Sequence, residues 1–178
     1  REPGGTKISE KIRNLLVKEK NQKLFPETEL LLIYAARHEH LKQIIMPNLK
    51  KKKIVICDRF FYSTYSYQII ANNLEERKLK FLHKNFADNI FPDITILIDI
   101  DPKIGISRSL SRKNLENRFE LKSKDFHNVV RKTYLKLSQN NSDIFKINGN
   151  NTRQAIHKKI VDHLNNRRVS QKTLPYSV

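Results

Sequence analysis

Two short runs constrain this chain more than anything else in it. "IVIC" at 54–57 and "ITILIDI" at 94–100 are almost continuously apolar, without the alternation of a strand that has one wet face. Strands of that kind are covered on both sides, as in a parallel sheet with helices above and below. A third run, "IFKI" at 144–147, fits the same sheet. The stretches between them carry helical spacing. Ile8, Ile12, Leu15 and Leu16 mark 8–19, and Leu30, Leu31, Tyr34, Leu41 and Ile45 mark 27–46. Leu79, Leu82, Phe86 and Ile90 mark 75–91, and 125–139 and 152–166 read as two more helices. Glu27 and Glu29 stand near the positive end of a helix dipole, and Asp101-Pro102 reads as an N-cap with proline at the first helical position. Strands alternating with helices predict an α/β fold built on a doubly wound parallel sheet flanked by helices. The 178 residues suit one domain over 1–166, followed by a loose polar tail at 167–178.

Charge excludes less than its size suggests. A formal charge of +17 attracts phosphate and raises the possibility of a nucleic-acid partner. Much of the excess is scattered lysine, however, and the densest run, "LKKKK" at 49–53, sits before an apolar strand as a solvated turn, so nucleic acid is not the expected partner. No stretch reaches the ~18 apolar residues of a membrane span, and the single cysteine cannot form an internal disulfide, which sets a reducing, cytoplasmic compartment as the expectation. The six histidines lack metal-ligand spacing backed by cysteines, so no zinc site is expected.

In open parallel sheets ligands bind beyond the carboxyl ends of the strands. Asp58 and Arg59 come directly after the first run, and Asp99 and Asp101 close the second. Alone, Asp58 and Arg59 would serve equally well as an ion pair closing the strand. Beyond them, Ser63, Thr64, Tyr67 and Gln68 put hydroxyls, an aromatic face and an amide within two helical turns, a set able to hold a flat polar base or a phosphate. In "LLIYAARHEH" Arg37 lies one turn beyond Ile33 and Tyr34, with small Ala35 and Ala36 allowing close approach of a ligand or a second helix. A third arginine series, Arg108, Arg112 and Arg118, does not keep one helical stripe. It fits either a solvated surface or a mobile lid over a polyphosphate.

As an ordered set, "REPGGT", "YAAR", "DRF" with "ST" and "YQ", and then "PDITILIDIDPKIGISR" with "NRFE" resemble the thymidylate kinase family from Arg1 to about residue 165. The resemblance implies a P-loop-kinase-like fold with a lid at about 111–122. It implies transfer of the γ-phosphoryl of ATP, with Mg2+, to dTMP, giving dTDP and ADP in dTTP synthesis, by an enzyme that is a homodimer. It also implies roles. Arg59 would contact the phosphates, and Asp58 would hold the magnesium shell through water. Arg13 would clamp the dTMP phosphate, and Arg37 would bind that phosphate or the base edge. Ile33, Ser63, Thr64, Tyr67 and Gln68 would line the thymidine pocket, and Glu2, Pro3 and Gly4 would form a loop beside the nucleotide. Arg112 and Arg118 would act from the lid on the ATP side, Arg118 reaching the transferring phosphoryl.

The chain departs from the family's pattern in four places. Ile33 stands where a phenylalanine commonly stacks on thymine, Ser66 where alanine is usual, and Asn117 where an aspartate precedes the lid arginine. No Gly-x-x-x-x-Gly-Lys-Ser/Thr loop occurs in the 178 residues. By the family's order that loop and the first strand precede "REPGGT". The expectation is therefore a kinase fold with first strand and P-loop absent, weak or no ATP binding by the usual route, and an exposed sheet edge or gap near the missing strand. A dTMP-binding kinase relic without catalysis, and a basic nucleic-acid-binding protein, stand as alternatives at this level.

Overall fold

The computed structural model describes residues 1–18, 24–111 and 118–166. After the REPGGT loop comes α1 (Lys7–Val17), capped by the Thr6 hydroxyl on the Ser9 amide at 3.1 Å. α2 (Pro26–His40) starts on a proline, whose missing N–H costs nothing at that position. It runs on through a π-helical turn, Leu41–Ile45, into α3 (Met46–Lys50), so the helix expected over 27–46 reaches Lys50. Pro47 sits inside this rod without a backbone donor, and the widened turn lies just in front of it. α4 (Phe61–Thr64) continues as a second π-helical segment, Tyr65–Ile70, and α5 (Glu76–Phe86) comes next.

β1 (Thr95–Asp99) leads into α6 (Pro102–Leu110), where Asp101 caps as expected, its carboxylate accepting from the Lys103 amide at 2.9 Å. α7 (Lys124–Asn140), β2 (Ile144–Asn148) and α8 (Arg153–Asn166) complete the order. β1 and β2 pair in parallel, Thr95 opposite Ile144 through Asp99 opposite Asn148. α7 packs against both strands and α8 against β2. This is the α/β arrangement with a parallel sheet that the apolar runs predict.

The run at 54–57 behaves differently. It forms no ladder among the described residues, whose hydrogen-bonded sheet has two strands. Val55 packs on the core, but Ile54 and Ile56 are 83% and 92% exposed. The pattern is that of a strand covered on both faces, yet a strand also needs a neighbour for its amides and carbonyls, and no described segment lies in register beside this one. At its far end the Glu2 amide donates to the Asp58 carbonyl at 2.9 Å.

The core lies where α2, its π-helical turn, the 65–70 segment and α5 meet: Leu30, Tyr34, Leu41, Ile45, Ile69, Leu79, Leu82 and Ala87. His83 is buried beside it, its Nε2 donating to the Ile90 carbonyl at 2.8 Å and its Nδ1 accepting from the Tyr34 hydroxyl at 3.2 Å. Burial holds this imidazole neutral, with its pKa pushed down to about 4. A smaller cluster, Leu16, Val17 and Ile33, joins α1 to α2 and carries Phe119 against it. No described helix is long and apolar enough to cross a membrane.

Candidate functional site

The site begins with the REPGGT loop. Gly4 and Gly5 have φ of +134° and +97°, the region where a side chain is strained. A Cβ at Gly5 would stand 2.6 Å from His40 Cδ2, so only glycine lets the loop pass the helix this closely. The Glu10 carboxylate accepts from the Gly5 amide at 3.0 Å and from Arg1 at 3.2 Å, and these bonds hold it below its ordinary pKa. Arg13 Nη1 donates to the Pro3 carbonyl at 3.0 Å. Ser9 Oγ donates to the Ala36 carbonyl at 2.8 Å, so the small residues of "YAAR" are where α1 and α2 approach.

Arg37 is the centre of the arrangement. It is 1% exposed, and its Nε donates to Glu2 Oε2 at 2.6 Å while Nη2 donates to Thr64 Oγ1 at 2.9 Å. The guanidinium lies between the rings of Tyr34 and Phe60, 4.8 Å and 4.7 Å from their centroids. Glu2 Oε1 accepts from His40 Nδ1 at 3.1 Å. Arg37 Nη1 is buried without a hydrogen-bond partner among the described residues. An orphaned charged donor is costly unless something fills the position, so Nη1 keeps an unused donor.

A second group forms around Arg59, which has a φ of +65°. Its guanidinium lies 5.0 Å from the centroid of the Tyr67 ring. Desolvation of the guanidinium works against its charge, but Tyr67, Tyr134 and Asp58 outweigh it, and the net shift of its pKa is upward. Ser63 Oγ and Tyr134 Oη are 2.6 Å apart. The third group joins Gln68 and Arg118 through Glu29: Gln68 Nε2 donates to Glu29 Oε1 at 2.8 Å, and Arg118 Nη2 sits 2.9 Å from Glu29 Oε2. Arg118 Nη1 also donates to the Leu16 carbonyl at 2.8 Å. Ile33 is 6% exposed, one turn beyond Glu29 on α2.

Of the residues singled out from the sequence, Glu2, Arg37 and Thr64 meet directly, as do Arg59 and Tyr67, and Arg13 contacts Pro3. Asp58 is exposed and contributes its backbone carbonyl to Glu2. Arg118 is brought to α1 and α2 rather than to Arg59. Arg112 and Asn117, like the tail at 167–178, lie outside the described residues. Three participants escape the sequence reading in these roles. Tyr134 reads as one more aromatic on an amphipathic helix. Arg131 grips Asp99 in a two-pronged pair, 2.8 Å and 3.2 Å, and nothing in its local sequence marks that. Glu29 does carry a signal, because it shares its helical face with Ile33 and Ala36, where an acid needs partners.

Among the described residues, one cluster of three side chains brings metal-ligand atoms together. Glu2, His40 and Cys57 bring an oxygen, a nitrogen and a sulfur within 4.8 Å of one another. Both Glu2 oxygens are already engaged by Arg37 and His40, and burial pushes the Cys57 thiol up to about 11, so this set acts as a hydrogen-bonded junction. The exposed Asp58 carboxylate is the hard oxygen donor that suits a magnesium shell.

A parallel α/β sheet with Arg59 just past an apolar run, and a glycine-turned loop whose Glu2 holds Arg37, is an arrangement that suits a nucleotide-binding enzyme of the α/β class. Comparison with known proteins agrees. The thymidylate kinase family model matches residues 1–160. A thymidylate kinase of Acholeplasma laidlawii is 38% identical over 92% of this chain and 81% of its own length, and one of Buchnera aphidicola is 43% identical over 84% and 71%. The crystal structure of thymidylate kinase from Ehrlichia chaffeensis superposes with a TM-score of 0.73 at 32% identity, covering 93% of this chain and 78% of that one. The chain belongs to the thymidylate kinase family.

Proposed function

We propose that the protein transfers the γ-phosphoryl of ATP to dTMP. A dTMP phosphate oxygen forms the new bond to the γ-phosphorus as its bond to the β-phosphate oxygen breaks, giving dTDP and ADP for dTTP synthesis. The observation that carries this reading is the buried Arg37, forked between Glu2 and Thr64 with one donor open, beside the Arg59 group in a chain of this family. Such chemistry asks for charge placement more than for covalent catalysis, and arginine forks match phosphate and carbonyl oxygens.

In this reading Arg59 and Arg13 hold the dTMP phosphate, Arg37 holds the base edge or the phosphate through Nη1, and Ile33, Ser63, Thr64, Tyr67 and Gln68 line the thymidine pocket. Glu2, Pro3 and Gly4 keep the loop against it. Arg112 and Arg118 serve the ATP side from the lid, Arg118 after leaving Glu29. Asp58 would hold magnesium through water, and the ion would supply charge neutralisation on the ATP phosphates. A homodimer is part of the same reading, with Leu31 and Phe81, 56% and 61% exposed, as apolar surface for it, and a nucleotide-consuming enzyme of this kind works in the cytoplasm.

The test combines calorimetric titration with dTMP and thymidine with a chromatographic assay for dTDP formed from ATP and dTMP. Saturable binding that prefers dTMP to thymidine, and dTDP formation lost in Arg59→Ala, are expected. Failure to bind dTMP, or transfer to another nucleoside monophosphate in preference to it, overturns the reading.

A further inference from the structure

Arg59 has the phosphate-binding role in the proposed transfer, yet its own backbone does not secure it. A φ of +65° is unfavourable for a residue with a long side chain, and its carbonyl accepts from the Cys57 thiol, a weak donor, at 3.2 Å. Its guanidinium has aromatic surroundings. Tyr67 lies under it at 5.0 Å. Tyr134 arrives from α7, 71 residues beyond Ser63 in sequence, and meets the Ser63 hydroxyl at 2.6 Å. Tyr134 is half-buried, and desolvation raises its pKa, so the phenol stays protonated and keeps a proton to donate.

α7 is not free to drift. Three residues before Tyr134, Arg131 grips both oxygens of Asp99 at the carboxyl end of β1, with Asp101 3.8 Å away, and the bond to Arg131 holds Asp99 below the usual carboxylate range. α7 also packs against the 65–70 segment that carries Tyr67. The sheet edge, α7, Tyr134 and the Arg59 loop thus form one connected support.

We propose that Tyr134 is a positioning residue for Arg59, carrying the fixed geometry of the β1 end across α7 to the phosphate-binding guanidinium. With the phenol proton given to Ser63 Oγ across 2.6 Å, the phenol oxygen is left as an acceptor for a guanidinium that can only donate. Ser63 then keeps its own proton for a ligand oxygen. The inference rests on the dTMP kinase reading, because it is the phosphate of the acceptor that Arg59 is positioned to meet.

Tyr134→Phe removes the hydroxyl and leaves the ring. Dissociation constants for dTMP and for thymidine, measured by calorimetry on the wild-type chain and the variant, separate positioning from packing. The expected result is dTMP binding weakened about tenfold, as for the loss of one hydrogen bond near a charge, with thymidine binding changed less than about twofold. Adding Arg59→Ala should then cost far less in the variant than in the wild type. Equal weakening of both ligands, no weakening, or full additivity with Arg59→Ala overturns the proposal. A wild-type chain that does not prefer dTMP to thymidine refutes the kinase reading instead. If thermal melting shows Tyr134→Phe to be unfolded, Arg131→Gln, which loosens α7 from Asp99, must pass the same two-ligand comparison.

Discussion

Glu2→Gln tests the arrangement at its most demanding point. Glu2 and Arg37 are 3% and 1% exposed and 2.6 Å apart, so water cannot take over from either partner. Glutamine keeps the shape but removes the charge, and its amide NH2 must face either Arg37 Nε or His40 Nδ1, both of which now donate to Glu2. Leaving one partner of a buried pair charged and alone costs about 3–5 kcal/mol, a large part of the ~5–15 kcal/mol that a domain has. In urea unfolding at pH 7, with a slope of ~1–3 kcal/mol/M, the midpoint should fall by roughly 2 M at unchanged slope. The double variant Glu2→Gln with Arg37→Met should recover part of that loss, because the orphaned charge is gone. A loss under about 1 kcal/mol, or a double variant no more stable than Glu2→Gln, refutes the claim that this pair is held together by mutual burial.

The buried His83 gives a pH signature. Its folded pKa, about 4, lies below the ordinary 6.5, so its neutral form stabilises the fold above pH 6.5. That contribution is lost as pH falls from 6.5 to 4, while the unfolded chain takes up the proton first. At ~1.36 kcal/mol per pKa unit, discounted for residual solvent contact, the loss is about 2 kcal/mol. Urea unfolding at pH 7, 5 and 4 should show a shallower decline in His83→Gln, and identical slopes would dismiss His83 as the source. Gly5→Ala places a methyl group 2.6 Å from His40 in a backbone that disfavours it, and should lower thermal stability by about 1–3 kcal/mol. An unchanged melting temperature would show that the loop moves aside at no cost.

The sheet and most helices are legible in the sequence because their signals are local. "ITILIDI" and "IFKI" become β1 and β2, and the cap at Asp101 forms as its residue type suggests. "IVIC" carries the same apolar signal without a paired ladder, because hydrophobicity records burial preference and says nothing of which strand supplies the hydrogen bonds. At the site, residue types announce Arg37 and Arg59 but not their company. That Arg37 would be enclosed by Glu2, Thr64, Tyr34 and Phe60, or that a tyrosine from α7 would stand beside the Arg59 loop, depends on which faces the helices turn to each other. Glu29 and Arg118 make the same point, since neither local sequence names the other.

The Arg37 cluster also says something about how the chain acquires its site. The bonds that enclose this arginine span 35 residues to Glu2 and 27 to Thr64, and the one from Glu2 to His40 spans 38. None can form within a single helix or hairpin, so each must wait for loop closures whose entropy is lost before the contacts repay it. The pocket therefore has no partly assembled version. A nascent or locally unfolded molecule has α2 with a solvated arginine on it and nothing that resembles a binding site, and recognition switches on only with the completed tertiary fold.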